Sequence, residues 1–393
     1  NFESYTKIVA ASETKTSQET LPMTRALFVA ATRQHVGKTT FSLALINGLR
    51  KRFDNIGFVK PVGQQHETVE NGVQVDKDVN LMKEFFGLKG DYEAMSPVLI
   101  PRGYTKDYID GKILQHEQLK KIIDSYKSIS SLNDVVVCEG TGHTGVGSVV
   151  ELNNAQVAHT LNAEMILVAN GGLGSAFDEL ELNRCMCKEY GVKIRGIVLN
   201  KVVPGKVEMV RDYFTQLLKR WNIPLLAVIP DEPYLGRPNL MDLEKIFKTK
   251  LLAGEIYRKT PHYSTQDTLM VATSLNLFVD KMETILEAPL IVTHVTRHDI
   301  ILGFLAHTQK LKQNGKSFAG SLVLSGQKDP VLHYLYEMMI AQDLPCLLSK
   351  QSTFKTMDMI RSYTPKLHRD DLVRLELAVS HYEPFIDFDT LLK

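Results

Sequence analysis

The chain has 393 residues, of which 44% are hydrophobic and 23% charged, and its formal net charge is +1. This is the composition of an ordinary globular protein, and its balance of charge excludes a global electrostatic reason to bind nucleic acid or an anionic membrane. The length exceeds what one hydrophobic core supports, so two domains are expected.

Residues 1–22 are rich in Ser, Thr and Glu and lack apolar periodicity. They read as a flexible tail, left after removal of a targeting segment or exposed by an arbitrary boundary; the first origin suits an organelle matrix or stroma, the second the cytoplasm. Residues 26–31 form an apolar run that predicts a strand. A short polar loop follows, and Gly37-Lys38-Thr39-Thr40 opens a helix with Phe41, Leu45, Ile46 and Leu49 at helical spacing. A second strand, 56–59, ends in Lys60-Pro61, and 75–87 carries acidic residues into a helix around Leu81, Phe85 and Phe86. Helix 117–128, strand 134–138, helix 151–161, strand 165–169, helix 175–190, strand 194–199, helix 206–220 and strand 225–229 then alternate. Continuous apolar strands separated by helices predict the α/β class, a parallel sheet covered on both faces, with ligands collecting beyond the carboxyl ends of the strands.

Residues 235–260, with Gly236, Pro238 and Gly254, read as a connection. Beyond it the pattern restarts in shorter units, with strands 290–292 and 322–324 and helices 298–311, 330–340 and 354–360, a second and smaller α/β domain. The expected division is a tail over 1–22, a phosphate-loop domain over 23–235, a linker over 236–260 and the second domain over 261–393. The four cysteines (Cys138, Cys185, Cys187, Cys346) include no C-x-x-C pair, so neither a disulfide framework nor a zinc site is expected, and a reducing compartment fits. No apolar run approaches the length of a membrane span.

The chemistry concentrates where strands end. The loop Thr32–Thr40 departs from G-x-x-x-x-G-K-[ST] by having Thr32 in place of the first glycine, but strand, loop and helix follow in the required order. In such a loop the backbone from Thr32 through His35, Val36 and Gly37 to Thr40 cradles phosphate, Lys38 reaches the terminal phosphates and the Thr39 hydroxyl can sit on Mg²⁺. Arg33 also lies in the loop. Lys60, at a strand tip, is placed to neutralise a terminal phosphate or a substrate carboxylate; the alternative is a surface lysine. Glu139 emerges where the strand Val135-Val136-Val137-Cys138 ends, with Gly140 and Gly142 leaving space, and its carboxylate suits a hard cation. Asp76 and Asp78 are candidates for a second carboxylate, and Asp78 could instead cap the helix before Val79. Asn200 could read an adenine edge or serve as a turn residue. Asn170, Gly171, Gly172 and Gly174 shape the cleft.

Together the segments VAATRQHVGKTT, FVKPVGQ, VDKDVNLM, VVVCEGTG, VLNKV and VIPDEPYLGRPNLMDL resemble the dethiobiotin synthetase-like P-loop domain found at the N-terminus of long bacterial phosphate acetyltransferases. VTHVTRHDIILGFLA and GSLVLSGQKDP resemble the DRTGG domain that follows it in those proteins. The likeness spans about residues 25–385 and does not reach the acetyl-transferring domain, so phosphate acetyltransferase activity is not expected. It implies that Lys38 and Thr39 are the phosphate-binding lysine and metal-binding hydroxyl, Lys60 a second active-site lysine, Asp78 and Glu139 metal-binding acids and Asn200 an adenine contact, with ATP and Mg²⁺ as cofactors and a homodimer as the assembly. His35, Gln64 and Gly172 depart from the synthetase pattern, which has an acid, a small hydroxyl residue and a lysine at those places.

Three functions are open on this reading. The chain is a nucleotide-dependent regulatory or assembly module whose second domain meets a small ligand or a protein partner; or an ATP-dependent ligase or phosphoryl transferase of the dethiobiotin synthetase type acting on a carboxylate or carbamate; or a structural subunit whose loop is a relic.

Overall fold

A computed structural model describes residues 24–285, 288–316, 320–326 and 333–393. The expected tail, 1–22, lies outside the described residues, as do the first residues of the expected helix 330–340.

Six apolar segments form the first sheet: β1 (Arg25–Ala31), β2 (Ile56–Val59), β3 (Val135–Glu139), β4 (Glu164–Asn170), β5 (Ile194–Val202) and β6 (Leu225–Pro230). Their spatial order is β6-β5-β4-β1-β3-β2 and every pairing is parallel. The strands are buried almost throughout, which is why they read as continuous apolar runs rather than alternating ones. Helices α1 (Lys38–Arg50), α2 (Lys77–Phe86), α3 (Gln115–Ser130), α4 (Asn154–Thr160), α5 (Gly174–Glu189) and α6 (Val207–Leu218) make the crossovers. From β1 the chain steps one way to β2, and from β4 it steps the other way to β5 and β6. Because such crossovers are right-handed, this reversal puts helices on both faces and opens a crevice at the carboxyl end of β1.

The stretch between β2 and α3 holds structure too short for periodicity to reveal. Val62–Gly63 pairs with Val98–Leu99, and His66–Thr68 pairs with Gln74–Asp76.

The second, smaller α/β domain has a mixed sheet. Strands β7 (Leu251–Ala253), β8 (Leu269–Met270), β9 (Leu290–His294), β10 (Ser321–Ser325) and β11 (Cys346–Ser349) lie in the order β7-β11-β10-β9-β8, with β7 antiparallel to β11 and the other pairs parallel. Its two faces have separate cores. Ile291, Leu322 and Leu324 pack with α8 (Leu275–Thr284), α9 (His298–Gln313) and α10 (His333–Ala341), while Leu290, Val292 and Val323 pack with α7 (Leu240–Phe247) and α11 (Thr353–Arg361). The segment expected as a linker therefore contains a helix whose residues Leu240, Leu243 and Phe247 are buried in this core.

The chain then returns to the first sheet. Leu375 and Tyr382 of α12 (Leu372–Tyr382), Ile386, and Phe388 and Leu391 of α13 (Phe388–Leu392) belong to the first core, and α12 packs along α1. Arg25 Nη1 donates to Leu392 O at 2.8 Å, and Arg195 donates to Leu391 O and Thr390 O at 2.7 and 3.0 Å, satisfying the orphan carbonyls at the end of α13. The C-terminal residues expected in the second domain thus complete the first. No helix among the described residues is long and apolar enough to cross a membrane.

Candidate functional site

The loop between β1 and α1 is rooted in both neighbouring strand ends. Ala31 N donates to Gly142 O at 3.2 Å and Thr32 N to Val168 O at 2.9 Å. His35 and Gly37 take left-handed backbone, φ 61° and 99°. A Cβ on Gly37 would stand 2.3 Å from Asn200 Nδ2, so the close approach as well as the dihedral calls for glycine. Gly37 is also the N-cap of α1, which has no side-chain cap and no acid in its first turn. The first turn of α1 therefore carries no acid of its own, and its positive end favours a bound anion such as phosphate.

Four side chains from four elements converge beside it. Lys60, at the tip of β2, pairs with Asp78 on the first turn of α2 and lies 3.1 Å from Glu139 Oε1 at the end of β3. Thr39 Oγ1 donates to the same Oε1 at 2.9 Å. Burial works against the Lys60 ammonium, but Asp78, Glu139 and Asp76 around it hold its pKa well above the usual lysine range. Burial raises Glu139 although Lys60 opposes the shift, whereas at Asp78 the lysine outweighs burial and the carboxyl lies below its ordinary value. Burial pulls Lys38, half-buried on the first turn of α1, down to about 8.

Asp76 is the N-cap of α2: its backbone is extended, φ −66° and ψ 141°, and its Oδ1 accepts from Asp78 N at 3.0 Å. Its Oδ2 accepts from Gln65 N at 3.2 Å. This corrects the alternative role of Asp78, which lies inside the helix and so has no extended backbone with which to cap it.

The oxygens of Thr39, Asp78 and Glu139 fit a hard divalent cation. Glu139 Oε2 is buried without a hydrogen-bond partner. Among the described residues no group of three or more His, Cys, Asp or Glu side chains forms a metal cage. A cation there would have to complete its shell with phosphate oxygens and water, the habit of Mg²⁺, and would compete with the Lys60 ammonium for the carboxylates.

The remaining predicted residues brace the loop. Asn200, expected at an adenine edge, is fully buried at the carboxyl-terminal half of β5: Nδ2 donates to Val36 O at 2.7 Å and Oδ1 accepts from Lys201 N at 2.9 Å, with the Tyr382 hydroxyl beside it, 3.7 Å from where a Cβ on Gly37 would stand. Its polar atoms are committed inside the protein. The Val36 side chain is buried in the core, and Thr32 turns its hydroxyl to Glu179 Oε2 at 2.8 Å, so both present backbone to the loop. Arg33 lies 3.5 Å from the same carboxylate. His35 is exposed and its carbonyl accepts from Lys201 Nζ at 3.0 Å. Burial lowers the His35 pKa, and Lys366, Lys201 and Lys38 lower it further. Thr40 is half-buried on the first turn of α1, and Asn170, at the end of β4, keeps a buried Oδ1 without a partner.

Sequence reasoning did not reach Glu179, Asn183, Lys366 or Tyr382. Glu179 and Asn183 share one face of α5 at i,i+4 spacing, and Asn183 takes Thr144 N and Oγ1 at 3.0 and 2.8 Å, tying the β3 loop to α5. That spacing was visible; the proximity of the last two to the loop was not.

Comparison with known proteins agrees with this geometry. The chain is 27% identical over 384 residues to phosphate acetyltransferase of Nitratidesulfovibrio vulgaris, covering 94% of this chain and 51% of that protein. It is 26% identical over 373 residues to phosphate acetyltransferase of Pseudomonas putida, covering 92% of this chain and 50% of that one. It therefore spans about half the length of these relatives. It is also 27% identical over 230 residues to the ATP-dependent dethiobiotin synthetase BioD of Clostridium perfringens, covering 57% of this chain and 98% of that protein. The resemblance to dethiobiotin synthetases and to long phosphate acetyltransferases read from the motifs holds, and the P-loop fold with its synthetase similarity supports nucleotide binding. Residues 25–239, which carry the loop, the four converging side chains and Asn200, match the model of the family AAA_26, described as an AAA domain, and the chain belongs to that family.

Proposed function

We propose that the chain binds ATP with Mg²⁺ at the loop Thr32–Thr40 and acts as a nucleotide-dependent regulatory or assembly module, its second domain sensing a small ligand or a protein partner. The observation that carries this reading is the convergence of Lys38, Lys60, Thr39, Asp78 and Glu139 beside an uncapped helix N-terminus. Lys38, Lys60 and the first-turn amides of α1 would hold the terminal phosphates. Thr39 and Glu139, with Asp78, would hold the metal, which supplies further neutralisation of phosphate charge. The similarity to an ATP-dependent synthetase over nearly that protein's whole length supports ATP as the nucleotide.

The test is a calorimetric titration of the 393-residue chain with ATP and MgCl₂, beside the Lys38→Ala variant, with sedimentation run in parallel. Saturable binding that the variant loses, together with a nucleotide-dependent change in a homodimer's assembly, is expected. Absence of binding, or equal binding by the variant, refutes the site. Binding without any change in assembly or partner affinity removes the regulatory part.

A second reading, an ATP-dependent ligase of the dethiobiotin synthetase type, is favoured by the same similarity and by the buried Lys60 beside the loop. It is tested by ADP release in the presence of diaminopelargonate and bicarbonate, or of other carboxylates and carbamates, and fails if none stimulates release.

A further inference from the structure

The segment between α11 and α12, residues 362–371, joins a helix of the second domain to the helix that backs the phosphate loop. On its way it comes against α2. Arg369 Nη1 reaches Asn80 Oδ1 at 3.4 Å, on the same helix that carries Asp78. Three residues earlier stands Lys366. It is solvent-exposed and has no ion pair within 4 Å among the described residues, yet it lies within Coulombic range of Asp78, Lys60, Asp76 and Lys77, and of Lys38 and His35.

The charges around it are unbalanced. Lys60 is already paired with Asp78 and Glu139, and Asp76 is engaged by the amides of Asp78 and Gln65. Lys38 and Lys366 both lie beside this cluster, and neither has an ion pair within 4 Å among the described residues. Two unpaired ammonium groups repel unless an anion of higher charge lies between them. Lys366 is also on a particular side of the loop. Its strongest neighbours belong to β2 and α2, whereas Asn200 and Lys201 lie across β1 on β5.

We propose that Lys366 is a further polyphosphate-binding residue of the loop site, a cation delivered from the far end of the chain to the terminal phosphate of a bound nucleoside triphosphate. This rests on the nucleotide reading above and adds to it the link by which the segment leaving the second domain reads the phosphate state. A triphosphate extends to the Lys60 and Asp78 side and engages Lys366; a diphosphate, one group shorter, does not.

The experiment compares ATP and ADP, each with MgCl₂, on the 393-residue chain, on Lys366→Gln and on Lys38→Ala. Lys366 is exposed, so its substitution leaves the fold intact, which melting curves check. Lys366→Gln is expected to weaken ATP by about tenfold, the loss of one charge-assisted contact, while ADP changes less than about twofold. In parallel, the unsubstituted chain is acylated by a lysine-reactive ester and the modified lysines are quantified by mass spectrometry. ATP is expected to protect Lys366, and ADP to leave it reactive. If Lys38→Ala loses ATP but Lys366→Gln binds both nucleotides as the unsubstituted chain does, this inference fails and the loop site stands. Tighter ATP binding by Lys366→Gln also overturns it, marking the lysine as an occupant of the site rather than a contact. If the unsubstituted chain binds neither nucleotide, or Lys38→Ala binds as well as it does, both readings fall together.

Discussion

Replacing Lys60 by Met keeps the length of the side chain and removes the charge that holds the site together. The Lys60 side chain is 5% exposed and that of Glu139 is fully buried, whereas Asp78 retains 24% exposure and can be hydrated when its partner goes. The cost therefore falls on Glu139, which without Lys60 must take a proton to stay inside the protein. In the unfolded chain it ionises at the ordinary value of 4.5. Each pH unit above that value makes the proton about 1.4 kcal/mol more costly to keep. The variant should lose up to about 3 to 4 kcal/mol at pH 7, within the range for breaking a buried ion pair, and up to about 1.4 kcal/mol at pH 5.5; these are upper bounds because burial already raises Glu139 in the unsubstituted chain. The sign follows from linkage: a carboxyl protonated in the folded state and ionised in the unfolded one loses stability as pH rises. Urea unfolding at the two pH values measures it, followed by the fluorescence of Trp221, which stacks on Phe177 within the first domain. The double variant Lys60→Met with Glu139→Gln should lose this pH dependence. A loss that is equal at both pH values, or below about 1 kcal/mol at pH 7, refutes the argument that the lysine exists to hold a buried carboxylate ionised.

Gly37→Ala should destabilise the chain by about 2 to 3 kcal/mol, from a left-handed backbone carrying a Cβ and a disturbed Asn200 contact; it should also abolish ATP binding, read by thermal melting and calorimetry. Phe388→Ala should cost about 3 to 5 kcal/mol in the same urea experiment, because the ring is buried against Gly48 with the Arg52 guanidinium 4.2 Å above it; a neutral result would detach the C-terminal residues from the first core. ATP affinity should be independent of pH well below 8 and fall above it. Lys38 titrates at about 8 in the free protein, and a phosphate beside it raises that value, so binding takes up a proton there; calorimetry in buffers of different ionisation heat measures the uptake.

Most of the first sheet was legible because its strands are long, apolar and buried on both faces, and because the helix after Gly37 keeps a 3.6-residue period. Helix α7 was legible too, though it was read as a linker. Asn239 and Asp242 form a reciprocal capping box just before an apolar run, a local signal that the neighbouring Gly236 and Pro238 obscured. The choice between Asp76 and Asp78 as cap was not decidable, since either acid suits an N-cap and only the backbone separates them. Asn200 shows a firmer limit. Its position after a strand was readable, but whether an amide faces a ligand or a neighbouring carbonyl depends on Val36 and Tyr382, which lie 164 and 182 residues away in the chain. Periodicity revealed nothing of the pairs at 62–63 and 98–99, because two residues have no period.

The return of the chain gives the loop and the second domain a common mechanical element. At its first turn, α12 carries Arg374, which is fully buried, paired with Asp371 and 2.9 Å from Asp242 of α7; His262 joins the same Asp371 at 2.9 Å. Burial raises the Asp371 carboxyl, but His262 and Arg374 outweigh it and draw it down to about 2. At its last residue, α12 carries Tyr382, whose hydroxyl lies beside the asparagine that holds the Val36 carbonyl and beside Gly37. Eleven residues of helix, about 16 Å, separate the two ends. A buried guanidinium cannot leave its carboxylates without a cost of several kcal/mol, so the first end is fixed to α7 and the second to the phosphate loop. Stretching a helix is dearer than tilting it, and any displacement of α7 relative to the first sheet must be met by movement of α12 as a body. The same body bears on α1 along its length, and Lys366 lies in the segment that feeds it. On the proposal above, a nucleotide that draws Lys366 toward the loop would pull on the element that already holds the loop in shape, and the two effects would share one origin in the chain's return to its first sheet.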